Sequence, residues 1–166
     1  MTKPAKLILA SGETFPGDIP VWQADCIFGE AVFNTGMVGY VEAATDPSYS
    51  GQFLAFTYPL IGNYGVPVSS HWESEHAQAA ALVVSTAADF YAHRDGSSGL
   101  LDWCHDQQLP IIMNIDTRAL TTTLSRKGAI AAAIFADGAE QPKMFPDINQ
   151  QHWVRKVSIA EPQYYD

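Results

Sequence analysis

Two rhythms of apolar positions divide the chain near residue 79. Before it, apolar residues come in short runs rich in β-branched and aromatic side chains, IFGEAVFNT (27–35) and QFLAFTY (52–58), each bounded by Gly or Pro. Such runs predict strands. Upstream, KLILA (6–10), the Ser11 and Gly12 turn, and ETFPG (13–17) predict two further short strands. Pro16 confines the second of these to a sheet edge, because it cannot donate to a ladder. The first half therefore reads as mostly β with long loops.

After residue 79, AALVVS (80–85) predicts a strand, Leu100, Leu101 and Cys104 lie at helical spacing within 99–108, and PIIMNI (110–115) is a continuous apolar strand. Asp116 or Thr117 can cap a helix with Leu120 and Leu124 on one face, Arg126 and Lys127 in its last turn and Gly128 as its stop. A third strand follows at 129–136. Strand, helix, strand, helix, strand in this length implies parallel pairing with right-handed crossovers. The expected class is α/β, with a β-rich first half and a parallel α/β second half. Residues 147–158 read as a short helix and 159–166 as a linker.

Between two of the early strands lies GYVEAATDPSYSGQ (39–52), too long and too polar for a tight turn, yet carrying Tyr40 and Tyr49 and almost no charge. Asp46, Pro47 and Ser48 have turn chemistry: the carboxylate can accept from the backbone two residues on, and proline fixes φ. That explains a bend but neither the length nor the tyrosines.

Composition narrows the class. The chain has 166 residues, 47% of them hydrophobic, enough for one domain with a real core. No run reaches the roughly 18 apolar residues of a membrane span, and the apolar stretch after the amino terminus is too short for a signal peptide. A soluble, cytoplasmic protein is expected. Eighteen acidic residues against nine basic ones, net charge -9, argue against a nucleic-acid partner. Charged residues are only 16% of the chain, against about 25% in an ordinary soluble domain. A partner protein or a second domain covering part of the surface would account for the shortage. Cys26 and Cys104 are far apart with no CxxC, and both read as buried small hydrophobes.

The candidate chemistry is sparse. Cys104 and His105 are adjacent, and neighbours on a helix diverge by about 100°, so they do not form an activated pair. In HWESEH (71–76), His71, Glu73, Glu75 and His76 are donor types, but the order is not HExxH, and a solvated loop is expected. His93 and His152 have no partner the sequence can name. Asp116, Thr117 and Arg118 stand at a strand-to-helix turn, where open α/β folds bind ligands; helix capping is the simpler reading. No glycine-rich phosphate loop is present.

Five segments taken together resemble one family: FNTGMVGY (33–40), TDPSY (45–49), TYPLIGNYG (57–65), IDTRALT (115–121) and RKG (126–128). The chain is similar, from about residue 6 to 158, to the amino-terminal domain of the small, glutamine-hydrolysing subunit of carbamoyl-phosphate synthase. The resemblance implies a layered β/β/α (swivelling-type) domain over 1–158, and residues 159–166 as the start of a linker to an absent class I glutamine amidotransferase domain. It implies a ligase in which the small subunit releases ammonia from glutamine, and the large subunit makes carbamoyl phosphate for arginine and pyrimidine biosynthesis.

On that resemblance this chain carries no catalytic residue and binds no cofactor, ATP and a divalent metal belonging to the large subunit. Its partners would be the large subunit, its own amidotransferase domain and L-glutamine. Ser48 is the one residue whose motif places it against glutamine, and Tyr40 and Tyr49 would face the second domain with it. The sequence departs from the family's pattern at 85–94, at Asn114 and at Ser125. Two other readings remain: a free-standing interaction module of the same fold, and a small hydrolase using Cys104 with a histidine.

Overall fold

The computed structural model describes residues 1–139, 144–147 and 150–159. In chain order, strands β1 (Thr2–Leu9), β2 (Thr14–Pro20) and β3 (Cys26–Asn34) precede helix α1 (Tyr40–Thr45), a 3₁₀ turn at Pro47–Tyr49 and β4 (Gln52–Phe56). Then come β5 (Leu60–Ile61), a 3₁₀ turn at Ser69–His71, β6 (Ala81–Val83), β7 (Thr86–Ala87), α2 (Leu100–Asp106) and β8 (Ile111–Ile112). Helix α3 (Thr117–Lys127), β9 (Ile130–Ala136) and α4 (Trp153–Val157) complete the described residues. The α/β class is as expected. Of the expected 159–166 linker, all but Ile159 lies outside the described residues, as do 148 and 149 of the expected 147–158 helix.

Among the described residues seven strands form one sheet in the order β2-β1-β9-β3-β4-β6-β8, and β5 pairs with β7 in a second. The half from β2 to β3 is antiparallel; from β3 onward β4, β6 and β8 run parallel. The sheet then curls until its two ends meet. Asp18 of β2 donates from its N–H to the Met113 carbonyl at 2.9 Å, and Met113 returns the same bond at 2.9 Å. Next to this pair, Asn114 Nδ2 donates to Asp18 Oδ2 at 2.7 Å, and buried Gln23 accepts from the Ile111 N–H at 2.8 Å. The backbone at the outer edge of β8 is thus satisfied by the Gln23 side chain and one bridge rather than by a further strand, and the Asn114–Asp18 side-chain bond lies beside them.

Curling creates two cores. The inner one gathers residues from all seven strands of the large sheet, among them Leu7, Ile19, Ala31, Phe53, Val83, Ile112 and Ile134, and is plugged by Leu120 and Leu124 of α3. The outer one lies on the parallel half, where α1 and α2 cover Leu54, Phe56, Leu82 and Ile111 with Tyr40, Val41, Leu100, Trp103 and Cys104. With both faces covered, the parallel strands read as unbroken apolar runs.

Three expectations change. The third strand of the second half, β9, is not a parallel neighbour of β8; it enters antiparallel between β1 and β3. The parallel rule fails because α3 buries its apolar side in the inner core rather than packing across a sheet face, so the strand after it fills the gap between the hairpin and the parallel half. The 39–52 loop contains a helix, making β3-α1-β4 a parallel crossover unit. Cys26 opens β3 at an exposed position, whereas Cys104 is buried as expected.

The α3 helix follows its sequence signals closely. Asp116 Oδ1 accepts from the Ala119 N–H at 2.9 Å, and Gly128 ends the helix by donating to the Leu124 carbonyl at 2.8 Å. In its last turn Lys127 reaches Glu13 at 2.5 Å, and with Ser11 holds that carboxyl at about 2, well below its usual 4.5. Asn114, at a place where the resemblance leads one to expect glycine or a small or acidic residue, has φ 62°. That left-handed conformation suits glycine and asparagine alike.

Two measurements test this account. A Cβ on Gly17 would lie 2.4 Å from the Met113 carbonyl oxygen. Gly17→Ala should therefore pry the closing bridge apart and lower stability in urea by about 1–3 kcal/mol, the usual cost of overpacking. A depressed carboxyl pKa contributes stability above its unfolded value that is lost as pH falls through the folded one. The stability difference between Lys127→Met and the parent should therefore be constant above pH 4.5 and vanish between there and about 2.

Candidate functional site

Helix α1 crosses the outer face of the sheet from the carboxyl end of β3 to the amino end of β4. Tyr40, Val41, Ala44 and Thr45 are all buried there. The start of the helix is clamped by Tyr64: its ring stacks on Tyr40 at 4.3 Å, and its hydroxyl accepts from the Gly39 and Tyr40 N–H groups at 2.6 and 3.2 Å. The Tyr40 hydroxyl in turn donates to the Gly65 carbonyl at 2.5 Å. Burial pushes both phenols above their ordinary pKa. The tyrosines of this segment thus belong to the outer core: Tyr40 is 2% exposed, and Tyr49 is half-buried against the same cluster, within 3.5 Å of Asn34. They do not form an outward patch with Ser48, because α1 turns Tyr40 inward and the 3₁₀ turn sets Tyr49 against the outer core.

Ser48 alone points out. It sits in the 3₁₀ turn, where Asp46 Oδ1 accepts from its N–H at 2.8 Å and Pro47 fixes the first position. Asp46 therefore plays the turn role its sequence position implied. The Ser48 hydroxyl has no partner among the described residues and faces solvent. Three residues on, Gly51 has φ 78°, and a Cβ there would meet the Trp153 indole at 2.4 Å. Trp153 of α4 thus rests on the backbone beside the serine turn, an approach that only glycine permits.

The other candidates are scattered. Asp116 and Arg118 lie at the carboxyl ends of the parallel strands, opposite Ser48. There Arg118 lines a groove of about 260 Å³ with Thr57, Thr121, Thr122 and Ser125. Asp116 is a helix cap. His71 and His93 come together with Glu42, Tyr64 and Asp95 around a cavity of about 140 Å³, but no three His, Cys, Asp or Glu side chains among the described residues are set to hold a metal. His152 precedes α4 at the surface.

Cys104 is wholly buried on α2 while the neighbouring His105 is exposed, so the pair does diverge. Burial pushes the Cys104 thiol far above its ordinary pKa. A buried protonated thiol with no base beside it among the described residues is no nucleophile, which removes the hydrolase reading.

In HWESEH the four donor side chains, His71, Glu73, Glu75 and His76, are exposed on a loop, as expected, but the loop is anchored from within by Trp72 and by its backbone. Trp72 donates to the Pro67 carbonyl at 3.0 Å and packs edge-on to Trp103, and the Glu73 N–H donates to Thr45 Oγ1 at 3.0 Å. The one signal in the sequence was the tryptophan, an apolar anchor among polar neighbours.

Comparison with known proteins decides the family. The sequence model of the carbamoyl-phosphate synthase small chain, CPSase domain, matches residues 7–134. This chain belongs to the carbamoyl-phosphate synthase small-chain family. It is 45% identical over 147 residues to the carbamoyl phosphate synthase arginine-specific small chain of Aspergillus clavatus, covering 82% of this chain and 32% of that one. The same small chain of Halalkalibacterium halodurans is 45% identical over 133 residues, 80% of this chain and 36% of the relative. The multifunctional protein CAD of Squalus acanthias is 39% identical over 170 residues, 97% of this chain and 8% of its own length. The chain thus spans about a third of the small chains it matches. A solved peptidase M28 precursor from Shewanella amazonensis aligns with 81% of this chain and 35% of its own, at TM-score 0.42 and 10% identity, too slight a likeness to carry an argument.

The two thiols of this small-chain domain should differ in reactivity. With a thiol-specific chromogenic disulfide in native buffer, Cys26 should react and Cys104 should not; both should react in denaturant. Two native equivalents would contradict the burial of Cys104.

Proposed function

We propose that this chain is the non-catalytic amino-terminal domain of the small subunit of glutamine-hydrolysing carbamoyl-phosphate synthase, that it docks the large subunit, and that Ser48 contributes to the glutamine site. The observation that carries the reading is the Ser48 turn. A rigid, capped turn presents one unpaired hydroxyl to solvent, in the motif that the resemblance aligns with a glutamine contact. Helix α4 adds support, since its Trp153 rests on the face that bears Ser48. The curled sheet with helices on its outer face is compatible with the β/β/α, swivelling-type layering of the family.

On this reading the chemistry is done elsewhere: hydrolysis in a class I amidotransferase domain, and ATP and metal chemistry on the large subunit, in the cytoplasm. A docking role also fits the surface. Met37 and Val38 in the loop after β3, and Phe90 in the loop after β7, are 69%, 74% and 89% exposed. Together with the low proportion of charge, these side chains favour a face that is covered in an assembly.

The 166-residue chain alone should release no ammonia from glutamine and should co-purify with a carbamoyl-phosphate synthase large subunit expressed beside it. In the complete small chain assembled with that subunit, Ser48→Ala should raise the glutamine KM about twofold to tenfold, the net worth of one hydrogen bond, and leave ammonia-dependent synthesis unchanged. Glutaminase activity of the isolated chain would sink the non-catalytic reading, and failure to capture the large subunit would favour the free-standing module.

A further inference from the structure

The residue that sets where Ser48 stands is not in its own turn. Thr45, the last residue of α1, is 0% exposed although its side chain is polar. A threonine there could satisfy its hydroxyl within the helix, and it does donate to the Val41 carbonyl at 2.9 Å. The oxygen has a second task, however, because it accepts from the Glu73 N–H at 3.0 Å. Around this point the backbone is stitched to a single strip, residues 73–79. The Thr45 carbonyl accepts from Ser74 Oγ at 2.6 Å, and the Ala44 carbonyl accepts from the Gln78 and Ala79 N–H groups at 2.9 and 3.1 Å.

The same strip holds the other side of the turn. Ser50 bridges to Ala79, its hydroxyl donates to Gln78 Oε1 at 3.1 Å, and Gln78 Nε2 donates back to Ser74 Oγ at 3.1 Å. Residues 44–45 before Ser48 and residue 50 after it are therefore fixed to one support. The four residues between them have little freedom left: Asp46 caps, Pro47 fixes φ, and Tyr49 is packed into the outer core.

We propose that Thr45 is a positioning residue for Ser48, its hydroxyl joining the end of α1 to the 73–79 strip so that the serine hydroxyl is preorganised toward glutamine. This rests on the glutamine reading given above for Ser48. A ligand hydrogen bond made by a preorganised group loses less to ordering on binding, so loosening the joint should weaken binding of glutamine rather than the chemistry that follows.

Thr45→Val keeps the shape and removes the hydroxyl, leaving the Glu73 N–H unpaired; Thr45→Ser keeps the hydroxyl. In the 166-residue chain, Thr45→Val should speed amide hydrogen exchange at Ser48 and Glu73 relative to the parent and to Thr45→Ser. Exchange at Ser48 equal to the parent's would overturn the joint. In the complete small chain with its large subunit, Thr45→Val should raise the glutamine KM about threefold or more, with kcat and ammonia-dependent synthesis unchanged and Thr45→Ser near the parent.

An unchanged KM in Thr45→Val, beside a raised KM in Ser48→Ala, overturns the positioning role and leaves the glutamine reading standing. An unchanged KM in both overturns the glutamine reading and with it this role. Should Thr45→Val fail to fold, Gln78→Ala removes the half-buried links to Ser50 and Ser74. It should shift the same two readouts in the same direction, and no shift in either would equally overturn the proposal.

Discussion

The structure depends on the closure of its sheet. A seven-stranded sheet that stayed open would expose one edge on β2 and another on β8, and would leave its concave face in water. The reciprocal pair between Asp18 and Met113 removes both problems at once, and it exists because residue 17 is a glycine that lets the Met113 carbonyl approach. Asn114 and Gln23 complete the seam with side-chain bonds where β8 is too short to offer a full ladder. Once the ends meet, the inner faces of the strands become a single core that α3 seals. The parallel strands are left with an outer face that must be covered, and α1 and α2 cover it.

Covering that face brings Ser48 to its place. Helix α1 has to travel the length of the sheet to join parallel β3 and β4, so it delivers the following turn to the amino ends of the strands. Ligands in open parallel sheets usually gather at the other end, at the carboxyl termini. Here that end holds the groove of Arg118 and the exposed Met37 and Val38, while the serine stands on the opposite side with α4 beside it. One domain thus offers two separate faces. The proposal gives the serine face to the glutamine-hydrolysing domain and leaves the rest available to the large subunit.

Much of this was legible in the sequence where a signal is local. The α3 helix, with Asp116 as cap and Gly128 as stop, needs only neighbouring residues, and the strands near 6–10, 27–35 and 52–58 announce themselves by composition. Helix α1 escaped because its six residues are too few to show a period, and the polar run after it masked it. The inward turn of Tyr40 and Tyr49 escaped with it. The role of 73–79 escaped because its bonds run to residues almost thirty positions away, and Cys26 was misjudged because exposure at a strand's first position depends on what lies over it.

By itself the sequence determined the type of most elements, the caps and turn residues, the divergence of Cys104 from His105 and, through its motifs, the family. These rest on spacing and chemistry that a short stretch of chain carries intact. The tertiary structure alone decided that β9 runs antiparallel between β1 and β3, that the sheet closes through Asp18 and Met113, and that Ser48 stands exposed on a turn clamped from both sides. Those outcomes depend on which unsatisfied strand edges and buried polar groups find one another in space. Such pairings are settled only when every edge and every face is accounted for together.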